Sequence, residues 1–237
     1  MQLDLNRLYD VVKQISLDGY IEIVKLVSDD TVNVDLMDKG RLVGVYAKYS
    51  KEYLPLDHTI VLSSDNIMKV IRNLFKYNPI VDFTVNDKDI LITNSDTSYV
   101  LKMRDDVINE NVMKPKEFNF GTLPKFDRNV VATYTIDSDA LSSIKTDEDV
   151  MEFTSDDKGL RIKFRYLEGE SSRMFAGEKP NESFDVYFDA SLISRISGVL
   201  NGKITVVIMK GSKAYQMMLG KVDKYYNIVY LLTQRVQ

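Results

Sequence analysis

The order of predicted elements repeats four times along the 237-residue chain, and this repeat constrains the fold more than any single motif does. Alternating apolar residues predict strands, an apolar spacing of three to four residues predicts helices, and clusters of Asp, Asn and Gly predict turns. Each unit reads as a strand, a helix and a hairpin, with two units on either side of a central segment at 105–127. The local amino-acid sequence repeats as well, since FTVNDKDILI at 83–92 aligns without gaps on FTSDDKGLRI at 153–162. This repeat predicts two similar α+β halves.

One amphipathic helix is predicted in each unit. In the second unit the apolar stripe is formed by Ile67, Val70, Ile71 and Leu74, which recur at the spacing of one helix face. The four predicted helices span residues 5–15, 66–77, 137–145 and 189–201. We expect them to lie on one face of antiparallel sheets, each covering that face with its apolar side.

The central segment is predicted to be an ordered connector on the surface. It holds two of the chain's five prolines and shows neither steady alternation nor a helical stripe. Loops this long are uncommon in a compact domain and usually serve as linkers or binding segments. This one also carries Phe118, Phe120, Leu123 and Phe126, more apolar content than a plain tether keeps. The predicted organisation is therefore a first domain at 1–106, a connector at 107–127 and a second domain at 128–237.

Basic residues are concentrated on the polar sides of the predicted helices. The net charge is −4, so contact with a polyanion requires a local basic face rather than the molecule as a whole. Lys69, Arg72 and Lys76 share one face opposite the apolar stripe, while many acidic residues lie in turns. If the helices line one surface, that surface attracts phosphates without reading sequence; the alternative is an ordinary solvated helix face. The candidate phosphate-facing residues are Arg7, Lys13, Lys69, Arg72, Lys76, Lys145, Arg195 and Lys203.

The motifs of most enzyme classes are missing. The chain has no cysteine, one histidine (His58, beside Asp57 in a predicted turn) and none of the glycine-rich phosphate-binding or nucleophile-elbow motifs. Carboxylate pairs such as Asp35 and Asp38 lie near turns, where aspartate is favoured for backbone hydrogen bonding. No apolar run approaches the length that a membrane helix needs. We expect a protein without catalytic activity, metal, cofactor or membrane segment.

Three local strings resemble the DNA sliding clamps of the proliferating cell nuclear antigen (PCNA) type, and the resemblance covers essentially the whole chain. LMDKGRL at 36–42 looks like the family's Ala-Met-Asp-x-x-(Arg/His)-Val segment, and YLLTQRV at 230–236 is similar to its Tyr-Tyr-Leu-Ala-Pro-Lys-Ile ending. IMKVIRNL at 67–74 resembles the second channel helix, in which two basic residues three apart face DNA; they match Lys69 and Arg72.

The resemblance implies a clamp fold and a ring, usually a head-to-tail homotrimer, that encircles duplex DNA and tethers polymerase and other replication and repair proteins. The clamp loader and other clients would bind through short hydrophobic motifs. It places subunit contacts on edge strands at 99–104 and 171–177, with Tyr99, Leu101, Met103, Arg173 and Phe175 as interface residues. The matching client-pocket residues are Met37, Arg41, Leu42, Leu123, Phe126, Ala214, Leu231, Thr233 and Gln234. An intracellular location, in cytoplasm, nucleoid or nucleus, is implied as well.

The sequence also departs from the family. Gln234 and Ala214 stand where family members carry proline, so the pocket rim is expected to differ, and Phe118 and Phe120 compete with Leu123 and Phe126 for the pocket. The departures suggest a divergent member, viral or archaeal. Two alternatives stay open at this point: a clamp-fold subunit that works in a heterotrimer or as a monomer, and a metal-dependent nucleic-acid enzyme that uses aspartates.

Overall fold

The computed structural model describes residues 1–74, 79–95, 97–104, 113–167, 169–177, 179–212 and 214–235. Within these ranges the chain forms four helices and sixteen strands. The first half contains β1 (Gln2–Asp4), α1 (Leu5–Ser16), β2 (Ile23–Ser28), β3 (Val32–Met37), β4 (Val43–Tyr49), β5 (Ile60–Ser63), α2 (Ser64–Leu74), β6 (Ile80–Val85), β7 (Asp89–Asn94) and β8 (Thr97–Lys102). The second half contains β9 (Asn129–Asp137), α3 (Ser138–Ser142), β10 (Val150–Asp156), β11 (Gly159–Tyr166), β12 (Gly169–Ala176), β13 (Asp185–Asp189), α4 (Ala190–Val199), β14 (Lys203–Lys210), β15 (Tyr215–Val222) and β16 (Tyr226–Thr233).

The predicted fourfold repeat is confirmed, with one strand more in each unit than a hairpin supplies. Every unit is a strand, a helix and three further strands. The sequence alone did not indicate β1, which has only three residues, or the polar β12, which was expected only from the family resemblance. The third helix ends at Ser142, earlier than the predicted 145, so Lys145 lies in the loop that follows it. Residues 75–78, the end of the predicted second helix, lie outside the described ranges.

Adjacent units exchange their opening strands. The opening strand β1 pairs with β6 of the second unit, while β5 pairs with β2 of the first. The second half repeats this exchange with β9 on β14 and β13 on β10. The result is two four-stranded sheets, ordered β1-β6-β7-β8 and β12-β11-β10-β13, and one eight-stranded sheet ordered β5-β2-β3-β4-β16-β15-β14-β9.

The eight-stranded sheet joins the two halves through β4 and β16. These strands pair antiparallel from Tyr49 opposite Tyr226 to Val43 opposite Leu232. Hydrogen bonds therefore run without a break from the first half to the second. The predicted domain bounds remain a prediction, since residues 105–112 are outside the described ranges.

The two faces of this sheet carry different layers. Along β16, Tyr230 and its alternate neighbours pack into the main core, and the Tyr230 hydroxyl donates to the Gln14 carbonyl of α1 at 2.9 Å. Val229 and Leu231 point the other way, into a second cluster that includes the connector residue Phe126. Because strand side chains alternate between faces, the helices cover one face and the connector covers the other.

The helices form one layer in the order α2, α1, α4, α3, since contacts join each to the next. Aspartates cap three of them: Asp4, Asp137 and Asp189 each accept an N–H from the first turn of α1, α3 and α4. In the described part of the chain, no helix is long and apolar enough to cross a membrane.

Candidate functional site

The clearest basic pair on the helix layer is Lys69 and Arg72 of α2. Both side chains are exposed, on the side opposite the buried Ile67 and Ile71. Neither forms an ion pair with another residue in the described ranges. Their charges are therefore available to an external anion. Lys76, predicted to extend this row, lies outside the described residues.

Arg7 of α1 has a second role that the sequence did not indicate. Its guanidinium donates to the carbonyls of Glu52 at 2.9 Å and Tyr53 at 3.3 Å, and it lies 5.3 Å from the centre of the Tyr53 ring. Its Nε is also 3.9 Å from the Asp4 carboxylate. The side chain anchors the loop after β4 while about half of it stays exposed. Lys13, which lies near the end of α1, is half-buried.

The remaining basic candidates lie at the margins of the helix layer. Arg195 is exposed on α4, 5.5 Å from the centre of the Tyr20 ring, and Lys203 is the exposed first residue of β14. Lys145 lines a cleft of about 700 Å³ that also contains three consecutive acidic residues, Asp147, Glu148 and Asp149. Those carboxylates offset its charge. Among the predicted residues that the structure describes, the α2 pair therefore dominates the positive character of this layer.

On the opposite face, the connector is held by two polar side chains of the sheet. The Lys48 ammonium donates to the Phe118 carbonyl at 2.9 Å, and the Asn227 amide donates to the carbonyls of Asn119 at 2.6 Å and Thr122 at 2.9 Å. The connector also pairs with itself, since the Lys125 N–H donates to the Glu117 carbonyl at 2.9 Å. These contacts fold residues 116–125 into a small loop fixed on β4 and β16.

Replacing Asn227 with alanine is expected to loosen this loop, because two partly buried hydrogen bonds are lost together at a cost of about 1–3 kcal/mol. Amide exchange in residues 116–125 should accelerate roughly 5- to 150-fold, while exchange in the helices stays unchanged. Lys224→Ala, a change at an exposed residue three positions earlier, is the control. Equal acceleration in both variants, or none in Asn227→Ala, would contradict the assignment of Asn227 as the anchor.

The predicted client-pocket residues divide into a buried floor and a partly open rim. Phe126 and Leu231 are buried, at 8% and 4% exposure, and Phe126 meets Tyr46 edge-on with ring centres 5.2 Å apart. Leu123 and Phe118 pack against the same cluster, whereas Phe120 is 36% exposed. The other predicted pocket residues are half-buried or exposed: Met37, Arg41, Leu42, Ala214, Thr233 and Gln234. Of these, Leu42 packs against the main core rather than against the connector cluster. Whether clients bind there stays a prediction.

The turn that carries Met37, Arg41 and Leu42 is built around the Asp38 carboxylate. One oxygen accepts the N–H groups of Leu42 at 2.6 Å and Val43 at 2.8 Å, and the other accepts that of Gly40 at 2.9 Å. Asp38 is 6% exposed, and Arg41 has a φ of +56°. Both oxygens are thus committed to the backbone rather than presented to a metal. Among the described residues, no group of three or more acidic or histidine side chains is placed to hold a metal ion.

Gln234 takes over the role of a strand residue at the end of β16. Its side-chain oxygen accepts the Tyr215 N–H at 3.0 Å, and its own N–H donates to the Tyr215 carbonyl at 3.2 Å. A proline at this position could make neither bond. The departure from the family ending therefore has a local structural reason.

The two strands predicted at the subunit contacts, β8 and β12, are edge strands of their sheets. The predicted interface residues face largely inward: Leu101 is buried, while Tyr99, Met103 and Phe175 are half-buried against the main core. Arg173 donates to the Ala140 carbonyl and to the Ser143 hydroxyl at 2.7 Å, next to the end of α3. The side chains that point outward are Val100 of β8, 60% exposed, and Met174 of β12, 37% exposed. The sequence did not indicate either of them as an interface residue.

Comparison with known proteins supports the fold. No protein-family model matches the chain. No curated protein matches it either. Many solved structures match it, and among them are three that match over nearly its whole length. One is PCNA from A. fulgidus bound to the C-terminal region of FEN-1, at 15% identity and a TM-score of 0.69, covering 100% of this chain and 98% of that one.

The other two are PCNA structures as well. That from Entamoeba histolytica has 13% identity and a TM-score of 0.71, covering 99% of this chain and 98% of the other. That from Thermococcus kodakaraensis has 11% identity and a TM-score of 0.67, covering 99% of both chains. The chain therefore has the fold of the PCNA-type sliding clamps along its whole length.

Proposed function

We propose that this chain is the subunit of a DNA sliding clamp. Three copies close a ring around duplex DNA, and the ring tethers a polymerase and other replication and repair proteins. The observation that carries the proposal is that the two faces of the eight-stranded sheet are covered by different layers. One face bears a helix layer with an exposed basic pair, and the other bears an anchored connector with an apolar cluster beneath it.

The charge distribution suits sliding. A clamp must hold DNA without reading its sequence, which requires contacts to phosphates and none to base edges. Among the residues that the structure describes, the helix layer offers few cations without an ion pair, and the chain as a whole has a net charge of −4. Each contact is therefore weak and sensitive to salt. Weak contacts let the ring move while its closed topology keeps it on the DNA.

Ring closure would use β8 of one copy and β12 of the next. Both are edge strands with unpaired backbone groups, and such edges pair readily with another chain. Because the two edges are different surfaces, the contact is head-to-tail and can close into a ring. Val100 and Met174 would be covered by this pairing.

Client proteins would bind on the connector face. The A. fulgidus PCNA structure holds the C-terminal region of FEN-1, which supports peptide binding by this fold. An apolar side chain that enters the cluster under Phe126 would supply most of the binding energy. Such a protein works without catalysis of its own, inside the cell and in the compartment that holds the DNA.

Changing both Lys69 and Arg72 to alanine tests the DNA-facing assignment. Affinity for a short linear duplex, onto which a ring can thread from an end, should fall. The slope of log affinity against log salt should also flatten by about 1 to 2, because each lost phosphate contact removes roughly 0.9. Fluorescence anisotropy at several salt concentrations measures both quantities.

The control is Lys116→Ala combined with Lys125→Ala. It removes the same charge from the connector, on the opposite face of the sheet, and breaks only exposed ion pairs that contribute little to stability. Equal losses in the two double variants would show that net charge, rather than the helix face, governs DNA binding. An unchanged slope in the α2 variant would contradict the assignment directly.

A further inference from the structure

Tyr46 is a buried polar side chain whose hydroxyl has no hydrogen-bond partner among the described residues. It lies on β4, between Asp35 of β3 and Val229 of β16, and its exposure is 0%. Burial raises the pKa of the Tyr46 hydroxyl well above its ordinary value, so the group stays a hydrogen-bond donor. Buried hydroxyls in native proteins are nearly always paired, which makes this one a candidate for an external partner.

The aromatic ring of Tyr46 leans toward the predicted client pocket. Gly44, two residues earlier on the same face, lies opposite Met37 on β3 and Leu231 on β16. A Cβ atom at residue 44 would be 3.1 Å from Tyr46 Cε2, 3.3 Å from its hydroxyl oxygen and 3.5 Å from Met37 Cε. The absence of a side chain at Gly44 thus lets Tyr46 fold over it. The Tyr46 hydroxyl therefore lies over Gly44, which is flanked on the neighbouring strands by Met37 and Leu231.

Apart from the Asp35 carboxylate, whose charge also raises the pKa of this hydroxyl without forming a hydrogen bond to it, the surroundings are apolar. Phe126 of the connector covers the Tyr46 ring edge-on at 5.2 Å between centres. The remaining buried members of the cluster are Val207, Met209, Met218, Val229 and Leu231. In such a shell a lone donor cannot be satisfied by a hydrocarbon side chain, so a ligand that brings an acceptor oxygen gains more than its buried area alone provides.

We propose that the Tyr46 hydroxyl is a specificity determinant of the connector face: it donates a hydrogen bond to an oxygen at the tip of the client's anchor side chain. The inference rests on the proposed function, since it assumes that clients bind on this face. The anchor it selects is tyrosine, which combines an apolar ring with a polar tip, over phenylalanine. Because Phe126 covers the Tyr46 ring and is itself only 8% exposed, the anchor reaches the hydroxyl only if Phe126 is displaced.

The test compares Tyr46→Phe with a matched control, Tyr134→Phe. Tyr134 of β9 is also buried, at 1% exposure, and its hydroxyl also has no partner in the described chain. It lies outside the connector cluster, against Gly177. The melting temperature of both variants should stay level or rise, because each loses an unpaired hydroxyl. A clear fall in melting temperature for Tyr46→Phe alone would mean that the Tyr46 hydroxyl already has a hydrogen-bond partner in the folded chain. That result would overturn the inference before any ligand is tested.

The probe is the C-terminal peptide of A. fulgidus FEN-1, prepared with tyrosine or phenylalanine at each apolar position in turn. At one position the wild-type chain should bind the tyrosine version about tenfold more tightly, the gain expected of one buried hydrogen bond. That preference should vanish in Tyr46→Phe and persist in Tyr134→Phe. Measurable binding with no preference at any position would overturn the inference and leave the proposed function intact. No binding of any version would contradict the client site itself, and the inference with it.

Discussion

Replacing Gly159 with alanine is expected to release β12 from its sheet and to abolish self-association. Gly159 begins β11 with a φ of +141°, which L-residues rarely adopt, and an added Cβ would lie 2.1 Å from the Phe175 carbonyl oxygen. That oxygen belongs to the backbone of β12, so no side-chain rotation relieves the clash. The loss of stability should be about 3 kcal/mol, or roughly 6–12 °C in melting temperature for a chain of this size. Calorimetry and light scattering measure the two effects.

The matched control lies in the same hairpin. Gly169 begins β12, and a Cβ there meets no atom within 4 Å. Gly169→Ala should keep both the melting temperature and the mass in solution of the parent chain. If Gly159→Ala lowered the melting temperature but left self-association intact, β12 would not be the strand that joins the subunits.

Replacing Asp38 with alanine is expected to cost about 3 kcal/mol of unfolding free energy, because three backbone N–H groups lose one charged acceptor. The turn at 38–43 would then no longer hold Met37 and Arg41 at the rim of the connector face. Urea denaturation with an unchanged m value measures the stability loss. Client-peptide affinity should fall in the same variant.

Asp38→Asn separates shape from charge at this position. Its single carbonyl oxygen can still accept the N–H groups of Leu42 and Val43, so the variant should lose less than half as much stability as Asp38→Ala. A loss below about 1 kcal/mol for Asp38→Ala would contradict the central role of this carboxylate in the turn.

The order of elements could be predicted because each unit carries its own periodicity. The apolar stripes of α1, α2 and α4 and the alternating strands are local signals, and the repeat reinforces them. The short β1 and the polar β12 gave no such signal. Their pairing with β6 and β11 depends on strands brought together by the whole fold. Edge strands need little apolar alternation, so composition alone does not reveal them.

The candidate site was only partly predictable for the same reason. Lys69 and Arg72 follow from helical spacing, but the carbonyls that Arg7 binds lie 45 and 46 residues away in sequence. Nor could Tyr46 be identified, because it shares its strand face with Gly44 and Lys48, a pattern that does not predict a second buried cluster on that side. The glycine two residues before it was the one available signal: a small residue beside a large one on the same strand face lets the large side chain fold over.

The most direct test of the clamp account is the mass of the wild-type chain in solution, measured by light scattering behind a sizing column over a range of concentrations. A closed head-to-tail ring predicts a species of three times the 27.2 kDa chain mass that persists on dilution. A single-chain mass at every concentration would contradict the ring and leave a clamp fold that works with other subunits or alone.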